Sequence, residues 1–136
     1  MANALQTVAL CCNPRTKSDR AGKKDNIIIY KKKTGDGEYY GRASGNASND
    51  DILGRRNGNH HVAGDGNVIF GPLPYPVARG IEQILIHCAG GIGARGLINK
   101  INGVGPKGLS RGGYIKCALQ FLEKAGGLGD DGCPAL

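Results

Sequence analysis

The chain has no tryptophan, two phenylalanines and one methionine, and aromatic residues make up 5% of its 136 positions. So few rings leave little to stack on nucleobases, which argues against a purely stacking-based nucleic-acid binder. No stretch of about 18 apolar residues occurs, and a transmembrane helix is thereby excluded. The opening MANALQTVALCCNPR has no basic n-region and only a short, broken apolar run, so no signal peptide is expected. No C-x-x-C pair is present among Cys11, Cys12, Cys88, Cys117 and Cys133. An odd count with one vicinal pair suits neither a disulfide framework nor a closed zinc site, and reduced thiols in a cytosolic setting are expected. Acidic side chains are also scarce: 11 Asp plus Glu against 18 Lys plus Arg give a net charge of +7. That surplus favours an anionic partner, nucleic acid ahead of a membrane surface.

What is plentiful is glycine, at 24 residues, which implies many turns and close backbone approaches. A chain of this length is one domain with a modest core. Residues 1–25 read as a polar, cationic arm or linker, 26–126 as the folded domain and 127–136 as a frayed tail. NIIIYKKK is rich in β-branched residues, TGDGE is turn chemistry and YYGRAS is a returning strand, so a β-hairpin is expected. A short helix around DILGRR and a third strand, NVIFGPL, follow. PYPVARGIEQILIHCAGG is the clearest helix, with Val77, Ala78, Ile81, Ile84, Leu85 and Cys88 at helical spacing. Shorter helices are expected over ARGLINKIN and over GGYIKCALQFLEKAGG, the latter with Ile115, Ala118, Leu119 and Leu122 on its apolar side. The order implies an α+β fold: a small three-stranded antiparallel sheet flanked by helices.

Chemistry concentrates in three places. Glu82 has Ala78, Arg79, Leu85 and Ile86 as its helical neighbours, so its carboxylate faces an apolar side and needs a cation such as Arg79 or Arg56, or a metal ion. GRRNGNHH supplies Arg55, Arg56, His60 and His61, which combine guanidinium forks for phosphoryl oxygens with imidazoles that move protons near neutrality. GGIGARG contains a G-x-G-x-x-G pattern, but it follows a helical segment without an acid about 20 residues later, and reads as a glycine-rich turn.

Taken in order, these pieces resemble the GIY-YIG nuclease fold. Ile28-Ile29-Tyr30 stands in place of the first motif and Tyr39-Tyr40-Gly41 in place of the second, followed by a basic residue, Arg42. Arg56 and His60 are similar to the family's arginine and a histidine one helical turn on, Glu82 to its metal-binding glutamate, and Asn99 to a commonly found asparagine. Ile28 departs from the family's glycine, and the nine-residue spacing of Tyr30 and Tyr39 is short. Tyr39 or Tyr40, Arg55 or Arg56, and His60 or His61 therefore stay open as the site residues.

The resemblance implies a metal-dependent endonuclease acting on DNA with little sequence specificity. Glu82 would hold one Mg²⁺, or Mn²⁺, and Tyr30 would orient or deprotonate the attacking water, helped by a neighbouring cation. Arg56 would grip the scissile phosphate, Tyr39 would hydrogen-bond nucleophile or phosphate, and His60 would shuttle a proton. Lys31, Lys32, Lys33, Arg42, Arg55, Asn99 and Lys107 would contact the nucleic acid. A small basic nuclease of this kind also resembles the C-terminal toxin modules of bacterial polymorphic toxins. These are secreted on a carrier without a signal peptide, act in the target-cell cytoplasm and are neutralised by an immunity protein, here expected to be acidic. Two rivals stand beside this reading: an HNH-like nuclease built on His60, His61 and Asn67, with His87 a core histidine, and a non-catalytic basic nucleic-acid-binding module.

Overall fold

A computed structural model describes residues 27–45, 48–59, 62, 65–101 and 111–135. The expected arm, His60, His61 and Lys107 lie outside the described residues.

The fold is α+β. Strands β1 (Ile27–Thr34), β2 (Gly37–Ser44) and β3 (Gly66–Leu73) form an antiparallel sheet in the order β2-β1-β3, accompanied by helices α1 (Asn49–Asn59), α2 (Tyr75–Cys88) and α3 (Arg111–Lys124). The central strand opens with four consecutive buried residues, Ile27 to Tyr30. An unbroken apolar run of this kind needs cover on both faces. Ile27 and Ile29 pack with α2 and α3, whereas Ile28 and Tyr30 pack with Ile52 and Leu53 of α1. α1 runs through Gly54 and Gly58 to Asn59, longer than DILGRR alone suggests, and its first turn carries Asp50 and Asp51, where the positive end of the helix dipole favours acids.

β1 and β2 are joined by the two-residue turn Gly35-Asp36, which sets Thr34 against Gly37 and Tyr30 against Gly41. The side-chain period of two then puts Tyr30 and Tyr39 on one face and Tyr40 on the other. α2 starts with Pro74 at its N-cap and Pro76 in its first turn, where a missing N–H goes unnoticed. Its Gly80 lies against Tyr114 of α3 so closely that a Cβ would overlap the Tyr114 carbonyl oxygen.

Several expectations are corrected. ARGLINKIN forms no helix: Leu97 pairs in parallel with Glu38 along the outer edge of β2, with Glu38 N donating to Gly96 O at 2.8 Å and Ile98 N to Glu38 O at 2.9 Å. An exposed strand edge attracts such cover because its backbone groups need partners. The buried face of α3 consists of Tyr114, Cys117, Ala118, Phe121 and Leu122, with Leu119 37% exposed. The large rings of Tyr114 and Phe121 bury more apolar area than Leu119 and rotate the stripe toward themselves. The tail is not frayed: Gly129 N donates to Cys133 O, Ala135 N donates to Gly127 O, and a disulfide joins Cys133 to Cys88. Cys117 is likewise disulfide-bonded, so these thiols are not reduced. Cys88 and His87 are exposed at the end of α2, where the helix has run past the core, and His87 is not a core histidine.

Candidate functional site

A cleft of about 400 Å³ opens beside the half of β2 that the 96–99 segment leaves uncovered. Tyr39, Arg42, Arg56, Tyr75, Glu82 and Asn99 line it, drawn from β2, α1, α2 and the 96–99 segment.

Glu82 projects from α2 with its side chain 11% exposed. Arg42 donates from Nε to Glu82 Oε1 at 3.2 Å, so its partner is Arg42 rather than the expected Arg79 or Arg56. No described residue hydrogen-bonds Oε2. Burial pushes the Glu82 carboxyl pKa up, against the opposing pull of Arg42, Arg79 and Arg56. Arg79 turns instead to Tyr75, donating from Nη1 to the phenol oxygen at 3.2 Å, with its guanidinium 4.9 Å from the Tyr114 ring centre.

Tyr30 is fully buried and is not itself among the lining residues. Arg56 donates from Nε to its phenol oxygen at 3.2 Å, and the Tyr39 hydroxyl is hydrogen-bonded to that phenol. The cation expected beside Tyr30 is therefore Arg56, and its effect favours the phenolate. Burial outweighs it, and the Tyr30 pKa is raised, so the phenol keeps its proton. Tyr39 is pushed up to about 12, chiefly by burial, then by Tyr30 and Glu82. Tyr40 also reaches about 12, through burial and the neighbouring Glu38, whose carboxylate accepts its hydroxyl. Of the two candidates, Tyr39 is the one coupled to Tyr30 and Arg56.

Gly41 makes this cluster possible. A Cβ there would stand 2.5 Å from both Cζ and Oη of Tyr30 and 2.8 Å from Cε1 of Tyr39. Asn99 is buried, accepts from Tyr40 N at 2.9 Å and donates to Tyr40 O at 2.7 Å. Its amide continues the strand-edge pairing by one residue, using one donor and one acceptor of the side chain.

The basic residues divide. Lys33 and Arg55 are exposed. Lys31 pairs with Glu38 at 3.1 Å and lies 5.9 Å from the Tyr40 ring centre. Lys32 is fully buried, donates to Val62 O at 2.9 Å and has its pKa lowered by burial and by Arg56, so it is withdrawn from the surface role expected of it. Sequence reasoning missed Tyr75, whose ring lies 5.7 Å from the Arg42 guanidinium. Nothing in the PYP tripeptide distinguishes that ring from an ordinary helix-start residue.

Among family models, curated proteins and solved structures, nothing matches this chain.

Proposed function

We propose that the chain is a metal-dependent endonuclease of the GIY-YIG type that hydrolyses DNA with little sequence specificity. The observation that carries this reading is the convergence of Glu82, Arg56, Tyr39 and Arg42 on one cleft from three separate elements.

A carboxylate with one oxygen held by Arg42 and the other free of described hydrogen bonds fits Mg²⁺, which takes one or two carboxylates and keeps most of its waters. Among the described residues no three His, Cys, Asp or Glu side chains gather, so Glu82 would be the protein's contribution, and Mn²⁺ fits the same oxygen. When bound, the ion neutralises charge on the phosphoryl and departing oxygens.

The chain's own residues supply the rest. Arg42 and Arg56 each turn Nε inward, to Glu82 and Tyr30, and among the described residues their terminal amino groups have no hydrogen-bond acceptor. Those amino groups grip the non-bridging oxygens of the scissile phosphate. Tyr39 hydrogen-bonds the phosphate or the attacking water at the cleft wall. Tyr30 positions Arg56 and Tyr39 and, with its raised pKa, holds its proton at neutral pH. Lys33 and Arg55 attract the strand electrostatically.

Within the same proposal, small size, positive charge and weak specificity suit an effector toxin carried out of one bacterium into another and restrained by an acidic immunity protein. The Cys88–Cys133 disulfide suits passage through an oxidising exterior.

The test is incubation of supercoiled plasmid with purified protein, with Mg²⁺, with Mn²⁺ and with chelator. Nicking that needs metal is expected. Binding without nicking under every metal condition contradicts the enzyme and leaves a binding module.

A further inference from the structure

Next to the Glu82 cleft lies a second concavity of about 330 Å³, lined by Arg42, Ala43, Ser44, Ile52, Arg55 and Arg56. The two share Arg42, Ala43, Ser44 and Arg56, so they form one continuous track past the open end of β2. Their chemistry differs. The first contains a carboxylate, whereas the second has three guanidinium groups and no acid among its described lining residues. Arg55 leans toward the end of β2, its Nη2 3.4 Å from where a Cβ on Gly45 would stand, and remains exposed.

We propose that this second concavity is a subsite for the phosphate adjacent to the one that is cut, making the substrate a strand with at least two consecutive phosphates. The inference rests on the nuclease reading above. Arg42 and Arg56 stand at the junction with terminal amino groups that have no hydrogen-bond acceptor among the described residues, able to reach a phosphate on either side. Arg55 belongs to the second concavity alone, and it is the residue that commits that space to an anion. A guanidinium fork matches two phosphate oxygens, which a cluster of lysines would not do with the same geometry. Binding there fixes the strand's register, so the adjacent phosphodiester is delivered to Glu82 rather than sliding past it.

The experiment uses short single-stranded and duplex oligonucleotides with one cleavable phosphodiester, in which a flanking phosphate is replaced by an uncharged methylphosphonate on one side or the other. Wild-type protein and Arg55→Gln are compared by kcat/KM. Because Arg55 is exposed, the variant keeps the wild-type melting temperature. The expected result is a loss of about tenfold when one of the two flanks is neutralised for wild type, and no further loss from that replacement in Arg55→Gln. Equal cleavage by wild type of substrates neutralised on either flank overturns the subsite while leaving the nuclease reading intact. Equal sensitivity in wild type and Arg55→Gln overturns the assignment to Arg55. Absence of cleavage of every substrate, including the fully charged one, overturns the nuclease reading and the subsite with it.

Discussion

Tyr30 lies opposite Gly41 in the β1–β2 ladder, and its phenol fills the space where a side chain at position 41 would stand. That relationship ties the hairpin to the cleft, because the same phenol accepts from Arg56 and is hydrogen-bonded to Tyr39. Gly41→Ala forces the ring away or bends β2. A stability loss of about 1–3 kcal/mol is expected by denaturant titration, accompanied by lower activity. An unchanged midpoint would show that the ring has other room.

Arg56 performs two tasks that depend on its fork. Lys at this position keeps the charge but cannot hold Tyr30 through one nitrogen and present two others to a phosphate. Arg56→Lys is expected to fold normally and to lose about a hundredfold in kcat, with a smaller change in KM. Single-turnover kinetics on a labelled duplex separate the two.

Asn99 stitches the 96–99 segment to Tyr40 through both ends of its amide. Asn99→Asp removes the donor and sets a negative charge against the Tyr40 carbonyl. A destabilisation of about 1–3 kcal/mol is expected, with faster hydrogen exchange at the Tyr40 amide. Protection unchanged at Tyr40 would contradict the role.

Glu82 gives a pH signature. Its folded-state pKa lies above the unfolded value, so the native state holds the proton more tightly. Stability associated with this group is fully present below the unfolded pKa, near 4.3 for an ordinary glutamate, and is lost as pH rises through the folded pKa. Glu82→Gln has no such loss. Its melting temperature should therefore gain on that of wild type as pH rises through this window, and the gap should close again in acid. Nuclease activity should fall on the acid side as the carboxyl protonates. A gap independent of pH would contradict the burial of an ionised Glu82.

Much of the fold was legible because its signals are local. Ile27 to Tyr30 announced a strand, Gly35-Asp36 a turn, and the spacing of Val77, Ile81 and Leu85 a helix. The candidate site residues were legible as residue types in order along the chain, with Tyr39 or Tyr40 and Arg55 or Arg56 left open. Their linkage was not. Arg42 reaches Glu82 across 40 positions and Asn99 reaches Tyr40 across 59, and such pairings are fixed by how α2 and the 96–99 segment dock on β2 rather than by any local pattern. Lys32 misled for a related reason: three adjacent lysines look alike in sequence, but the alternation of a strand sends the middle one inward. The cysteines misled because an odd count hides pairings such as Cys88–Cys133 that form only once the tail folds back.

The most direct test of the central claim is metal-dependent plasmid nicking by Glu82→Gln beside wild type, at equal protein concentration and with DNA binding measured in parallel. The proposal predicts a folded variant that still binds DNA and nicks it more than about a hundredfold more slowly. Nicking at the wild-type rate by Glu82→Gln would contradict a metal-assisted site built on this carboxylate.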